Sequence, residues 1–186
     1  MRATELSGLP VVSSSAGEDI AEVRDVVYDS EAHQLIGFTL NKRGVFAGRM
    51  KDVLPAEAVT AIGADAVMVL DERSITESAS PEALENPGAA KSVIGARVLS
   101  ADGKELGEVI GVVVSTGARP AAIGYEIEPT ENNENVFVPI SEQIALSEDN
   151  LLLPAGATEF STKDLAGFEI ALVAYRELHE GGETNG

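Results

Sequence analysis

The sequence predicts an all-β fold made of two tandem small β-barrels, with short helical turns and a C-terminal extension. The first observation behind it is an internal echo. Ile20-Ala21-Glu22-Val23 runs into Val26-Val27-Tyr28, and Leu106-Gly107-Glu108-Val109 runs into Val112-Val113-Val114. Ile36-Gly37-Phe38 is echoed by Ile123-Gly124-Tyr125, and Leu54-Pro55 by Val138-Pro139. The offsets are 86, 87 and 84 residues, a drift that fits loops of unequal length between strands kept in register. Repeats this long form separate domains, not solenoid turns. The second observation is that each copy reads as about five short Val- and Ile-rich strands between Gly turns. The third is size: a copy of about eighty residues has little chain with which to cover a flat sheet, and closure removes the two open edges.

The elements follow in order. Leu6, Pro10 and Val11-Val12 open the first copy, and polar Ser13 to Asp19 with Gly17 reads as a turn. Ile20 to Tyr28 is a strand with a bend near Val23, where Arg24 and Asp25 interrupt the apolar pattern. Gln34 to Asn41 is the next strand, Lys42-Arg43-Gly44 a turn, and Val45 to Val53 the returning strand. Pro55 to Ala58 suits a single helical turn, since proline fits the first helical position. Asp65 to Leu70 is the closing strand. In the second copy Gly95 to Val98 opens, Ala101-Asp102-Gly103-Lys104 is a tight turn, and Leu106 to Val114 and Ala122 to Ile127 are strands. Asn132 to Asn135 is a polar tip, Val136 to Val138 returns, Pro139 to Ile144 is a helical turn and Leu151 to Leu153 closes. Gly37 and Gly124 occupy matching strand positions and are assigned to crowded backbone or a sharp bend.

The domains are accordingly 1–73 and 91–157, with a linker at 74–90 rich in Ser, Glu, Ala, Pro and Gly and one helical turn at Pro81 to Glu85. Residues 158–180 read as helix or strand. Ser161 or Thr162 can cap a helix that places Leu165, Phe168, Leu172 and Tyr175 on one face, and this reading is preferred to a strand at Phe168 to Val173. Residues 181–186 are expected to be a disordered tail.

Composition narrows function. The formal charge is −18, from seven basic and fifteen acidic side chains in residues 1–88 and six and sixteen in 89–186. Such a field repels nucleic acid and anionic lipid. There is no cysteine, which excludes disulfides, thiolate chemistry and Cys-ligated metal and accords with a cytoplasmic location. A signal peptide is not expected, because no N-terminal apolar segment follows a basic start, and a membrane helix is not expected, because no apolar run reaches about eighteen residues. With no tryptophan and 4% aromatic residues, a stacking platform for bases is not expected.

Catalytic motifs are missing too. Ser141 lacks the glycine flanks of a nucleophile elbow, and Gly103 to Gly107 is better explained as a hairpin turn than as a phosphate loop. The two histidines, His33 and His179, are far apart in the chain. Glu22 and Glu108 hold equivalent places before a Val and are expected on the outer wall. No catalytic residue, metal site or cofactor is therefore assigned.

One stretch departs from the acidic background. Ala32 to Lys51 contains no acidic residue but carries Lys42, Arg43, Arg49 and Lys51, interleaved with Phe38, Val45, Phe46 and Met50. If the hairpin closes near Gly44, the candidate protein contact is Lys42, Arg43, Phe46, Arg49 and Lys51. The matching stretch of the second copy is reversed in sign, with Glu126, Glu128, Glu131 and Glu134 as a candidate acidic counter-surface. The basic hairpin then docks on the acidic one, in the same chain or a homodimer, or on an external acidic partner.

Each copy resembles a PRC-barrel domain. The resemblance rests on Leu6-Ser7-Gly8-Leu9-Pro10-Val11 and Val93-Ile94-Gly95-Ala96-Arg97-Val98 at the openings. It continues in Ala21 to Val26 and Gly107 to Val112, in Leu35 to Phe38 and Ala122 to Tyr125, and in Val53-Leu54-Pro55 and Val136 to Pro139. That family includes the cytoplasmic barrel of the photosynthetic reaction centre H subunit and the C-terminal barrel of ribosome maturation factors. The resemblance implies a β-barrel in each half, a role in protein contact or assembly, and no catalytic residues to carry over. The second copy departs from that resemblance by its long acidic, Asn-rich tip at Glu131 to Asn135. The expectation is a non-enzymatic soluble interaction or assembly module whose partner is another protein or a second copy, without nucleic acid or membrane insertion. The alternative is a small-molecule or metal-binding sensor using a cleft between the barrels.

Overall fold

Alternating and continuous valine runs become strands in two sheets. The computed structural model describes residues 1–29, 34–43, 48–77, 93–131, 134–140, 144–146 and 149–180. In the first sheet β1 (Pro10–Ser13), β2 (Glu18–Asp29), β3 (Gln34–Asn41), β4 (Arg49–Pro55), β5 (Val59–Ile62), β6 (Val67–Val69) and β7 (Thr76–Glu77) bond in the order β5-β6-β1-β2-β3-β4-β7. In the second, β8 (Arg97–Ser100), β9 (Glu105–Val114), β10 (Ala122–Pro129), β11 (Val136–Pro139), β12 (Ala145–Leu146) and β13 (Asn150–Leu153) bond in the order β11-β10-β9-β8-β13-β12.

The two sheets share one topology, so the echo in sequence is an echo in pairing. Each has a parallel pair among the described residues, with Val11 opposite Val67 in the first and Val98 opposite Leu151 in the second. Each shifts register at the same place, between Val11 and Val12 and between Val98 and Leu99. The bend expected near Val23 is a register shift between Val23 and Asp25. The barrel-like all-β architecture is thus present twice.

By compactness the chain divides into Met1–Ser92 with Val114–Ala122, and Val93–Val113 with Ile123–Gly186. In the first unit Leu6, Val11, Val23, Phe38, Leu40 and Leu54 are fully buried. Val114 belongs to that unit's core, where its carbonyl accepts from the Met1 ammonium at 3.0 Å. In the second unit Val98, Val109, Tyr125 and Leu151 are fully buried. Val112 and Val113 are both buried although they point to opposite faces, which is why this strand reads as an unbroken apolar run.

A helix, α1 (Leu165–Glu180), covers that second face. Phe168, Leu172 and Tyr175 are buried at helical spacing, and Phe168 and Leu172 pack with Val113 and Phe137. The helix is started by Asp164, whose Oδ1 accepts from the Gly167 amide at 2.7 Å, not by Ser161 or Thr162. Thr162 is engaged elsewhere: it exchanges backbone hydrogen bonds with Phe137 at 2.7 and 3.0 Å.

Several elements differ from the sequence reading. Pro55 ends β4, and the helical turn is the 3-10 segment Ala56–Ala58 after it. The closing strand is shorter, Val67–Val69, and β5 and β12 are additional partners for β6 and β13. The readings at Pro81 to Glu85 and 181–186, and the middle of Pro139 to Ile144, lie outside the described residues.

Candidate interaction surface

The basic residues gather because one backbone bond closes their hairpin. The Lys42 amide donates to the Gly48 carbonyl at 2.8 Å, and Asn41 stands opposite Arg49. Lys42, Arg43, Arg49 and Lys51 are all exposed. Arg49 and Lys51 are two residues apart in β4 and so share its outer face, while Met50 between them packs on the first core. Phe46, the apolar centre expected for this contact, lies outside the described residues.

Arg43 is already partnered. Its Nη2 lies 2.8 Å from Asp19 Oδ2, with the two side chains 39% and 45% exposed. An ion pair this open to water contributes about 0–1 kcal/mol. It therefore positions Arg43 without preventing exchange for another carboxylate.

The acidic set is not one continuous surface. Glu128, Glu131 and Glu134 are exposed, but Glu126 is only 5% exposed. Its assignment to the counter-surface is corrected by two neighbours. Gly111 leaves a gap, since a methyl there would stand 3.2 Å from Glu126 Oε2, and Asn135 Nδ2 donates to Oε1 at 3.1 Å. The carboxylate is thus accommodated under the polar tip. Glu131 pairs with Lys104 at 3.1 Å, and Glu134 bonds Lys163. The Lys163 hydrogen bond, then its charge, hold the Glu134 carboxyl below its ordinary value.

One correspondence is absent from the sequence reading. Asp19–Arg43 in the first unit and Lys104–Glu131 in the second join equivalent strand ends with the charges exchanged. The offsets align Asp19 with Glu105 and Arg43 with Thr130, one residue away from Lys104 and Glu131, so the two pairs are neighbours in the repeat and only the pairing register brings them into view.

The second unit also holds a cavity of about 190 Å³ beside Lys104 and Glu131. Its lining includes Leu106, Ile127 and Val136, which the sequence reading places in strands without a hollow between them. Among the described residues no group of three or more His, Asp or Glu side chains is placed to hold a metal. Glu22 is half-buried and Glu108 exposed. No helix among the described residues is long and apolar enough to cross a membrane. Of the other residues weighed for chemistry, His33 and Ser141 lie outside the described residues.

Comparison with known families gives a match to the PRC-barrel domain over residues 1–73 and again over 88–160. No match is found among curated proteins.

Proposed function

Because the chain belongs to the PRC-barrel domain family, in two copies, we propose that it is a non-enzymatic interaction or assembly module that contacts its partner through the β3–β4 hairpin. The observation that carries this reading is the hairpin end itself: four exposed cations, with no acidic residue from Ala32 to Lys51, in a chain of charge −18. A local positive patch on an acidic molecule selects acidic surfaces and orients them on approach. A second copy of the chain offers such a surface in Glu128 and its neighbours, and an external acidic protein is the other occupant. The charges supply orientation and register.

The test is the double variant Arg43→Glu/Arg49→Glu, with folding checked by circular dichroism. Native mass spectrometry reads self-association, and affinity capture from source cells reads the external partner. Loss or weakening of the complex is expected. A folded double variant whose complexes equal those of the unmodified chain removes the hairpin from the interface.

A further inference from the structure

The mouth of the second barrel is a separate place with its own chemistry. Leu106, Ile127, Val136 and Leu153 give the 190 Å³ cavity an apolar floor. This exceeds the roughly 150 Å³ that suffices for benzene in an apolar cavity. Lys104, Glu105, Glu131 and Ser161 stand around it.

The rim is rich in acceptors. Glu105 and Glu131 present carboxylate oxygens, and Ser161 Oγ already gives its proton to the Thr158 carbonyl at 2.7 Å. Lys104, the cation of this rim, is directed at Glu131 Oε1 at 3.1 Å. Among the described residues Glu105 has a long contact, 3.8 Å, with Arg97. An ammonium group, with three donors and no acceptor, complements such a rim, and the −18 field concentrates cations near it. An apolar hollow with a few convergent polar groups at the mouth of a barrel is the usual form of a small-ligand site.

We propose that this mouth binds a short aliphatic chain ending in a primary ammonium, carried by a free alkylamine or by a lysine side chain. The methylenes lie on the Leu106–Ile127–Val136 floor and the ammonium bonds Glu131 and Ser161. Lys104 opposes the ligand's charge, so it limits affinity. The site is independent of the basic hairpin.

The full chain, labelled with 15N, is titrated with n-butylammonium, butyrate and Nα-acetyl-lysine methylamide, whose side-chain ammonium is free, while amide shifts are followed. Butylammonium is expected to move the Leu106, Ile127 and Val136 amides saturably, and butyrate to leave them in place. Glu131→Gln should weaken binding about fivefold, the scale of one exposed charge contact. Lys104→Met should tighten it, and Val136→Phe should abolish it by filling the hollow. Binding of the lysine derivative alongside butylammonium assigns the site to lysine side chains as well; binding of butylammonium alone assigns it to free amines. Preference for butyrate, unmoved floor amides, or equal affinity in the folded Glu131→Gln chain would overturn the proposal.

Discussion

A methyl group added at Gly37 would stand 2.3 Å from the Leu54 carbonyl oxygen, and one at Gly124 would stand 2.4 Å from Phe168 Cζ and 2.8 Å from the Val138 carbonyl oxygen. Both glycines face a proline across the sheet, Pro55 and Pro139. Replacing glycine with alanine in a strand normally gains about 0.5–1 kcal/mol from reduced chain entropy. Here the obstructing atoms include backbone, which cannot turn aside, and overpacking costs about 1–3 kcal/mol. Gly37→Ala and Gly124→Ala are therefore both expected to destabilise, measured as a lower denaturant midpoint. Equal or higher midpoints would show that the strands part freely. Crowding at these glycines was legible in sequence from their place in the repeat. The burial of Glu126 was not, because it depends on Gly111 across the sheet and on Asn135 from the tip. Glu134 makes a second prediction at this scale. Its carboxyl is lowered from 4.5 by the Lys163 hydrogen bond and charge, so the stabilisation is present above that value and lost as pH falls through the lowered one. The gap in melting temperature between the unmodified chain and Glu134→Gln should be open near neutrality and shrink as pH is taken below the ordinary carboxylate range. A gap independent of pH would assign the difference to something other than ionisation.

At the scale of the elements, α1 is anchored by Phe168. Phe168 is fully buried, meets Phe137 edge-on with ring centroids 6.3 Å apart, and fills the place that Gly124 leaves open. Phe168→Ala should cost about 3–5 kcal/mol of the helix's attachment. Hydrogen exchange should then show the amides of α1 losing protection while those of β9 keep more of theirs, since β9 pairs with strands on both sides. Uniform loss through the whole second unit would mean that the helix is part of one cooperative core. The helical face was legible because Leu165, Phe168, Leu172 and Tyr175 follow the 3.6-residue period. The edge pairings were not. Thr76 bonds beside Val53 and Thr162 beside Phe137, so each copy places a threonine against the outer edge of the strand that ends in its Pro. These are contacts of one or two residues, too short for any periodicity to announce, and they lie where composition reads as linker or cap.

At the scale of the molecule, a charge of −18 and a hairpin of four cations act over different distances. At physiological ionic strength charges are screened beyond about 8 Å, so the overall field falls off near the surface. A complex seated on Lys42, Arg43, Arg49 and Lys51 brings opposite charges within that distance, and salt must weaken it. A complex resting on the apolar residues between them would hold or tighten as repulsion between acidic molecules is screened. The proposed contact therefore predicts a dissociation constant that rises between about 0.05 and 0.5 M sodium chloride. In Arg43→Glu/Arg49→Glu the slope should flatten or change sign, because the altered hairpin adds to the like charge. Analytical ultracentrifugation across a salt series reads both slopes on the same protein. Parallel slopes for the two chains would place the interface elsewhere, even if the double variant bound more weakly. The difference in slope, not the loss of binding, ties the partner to these side chains.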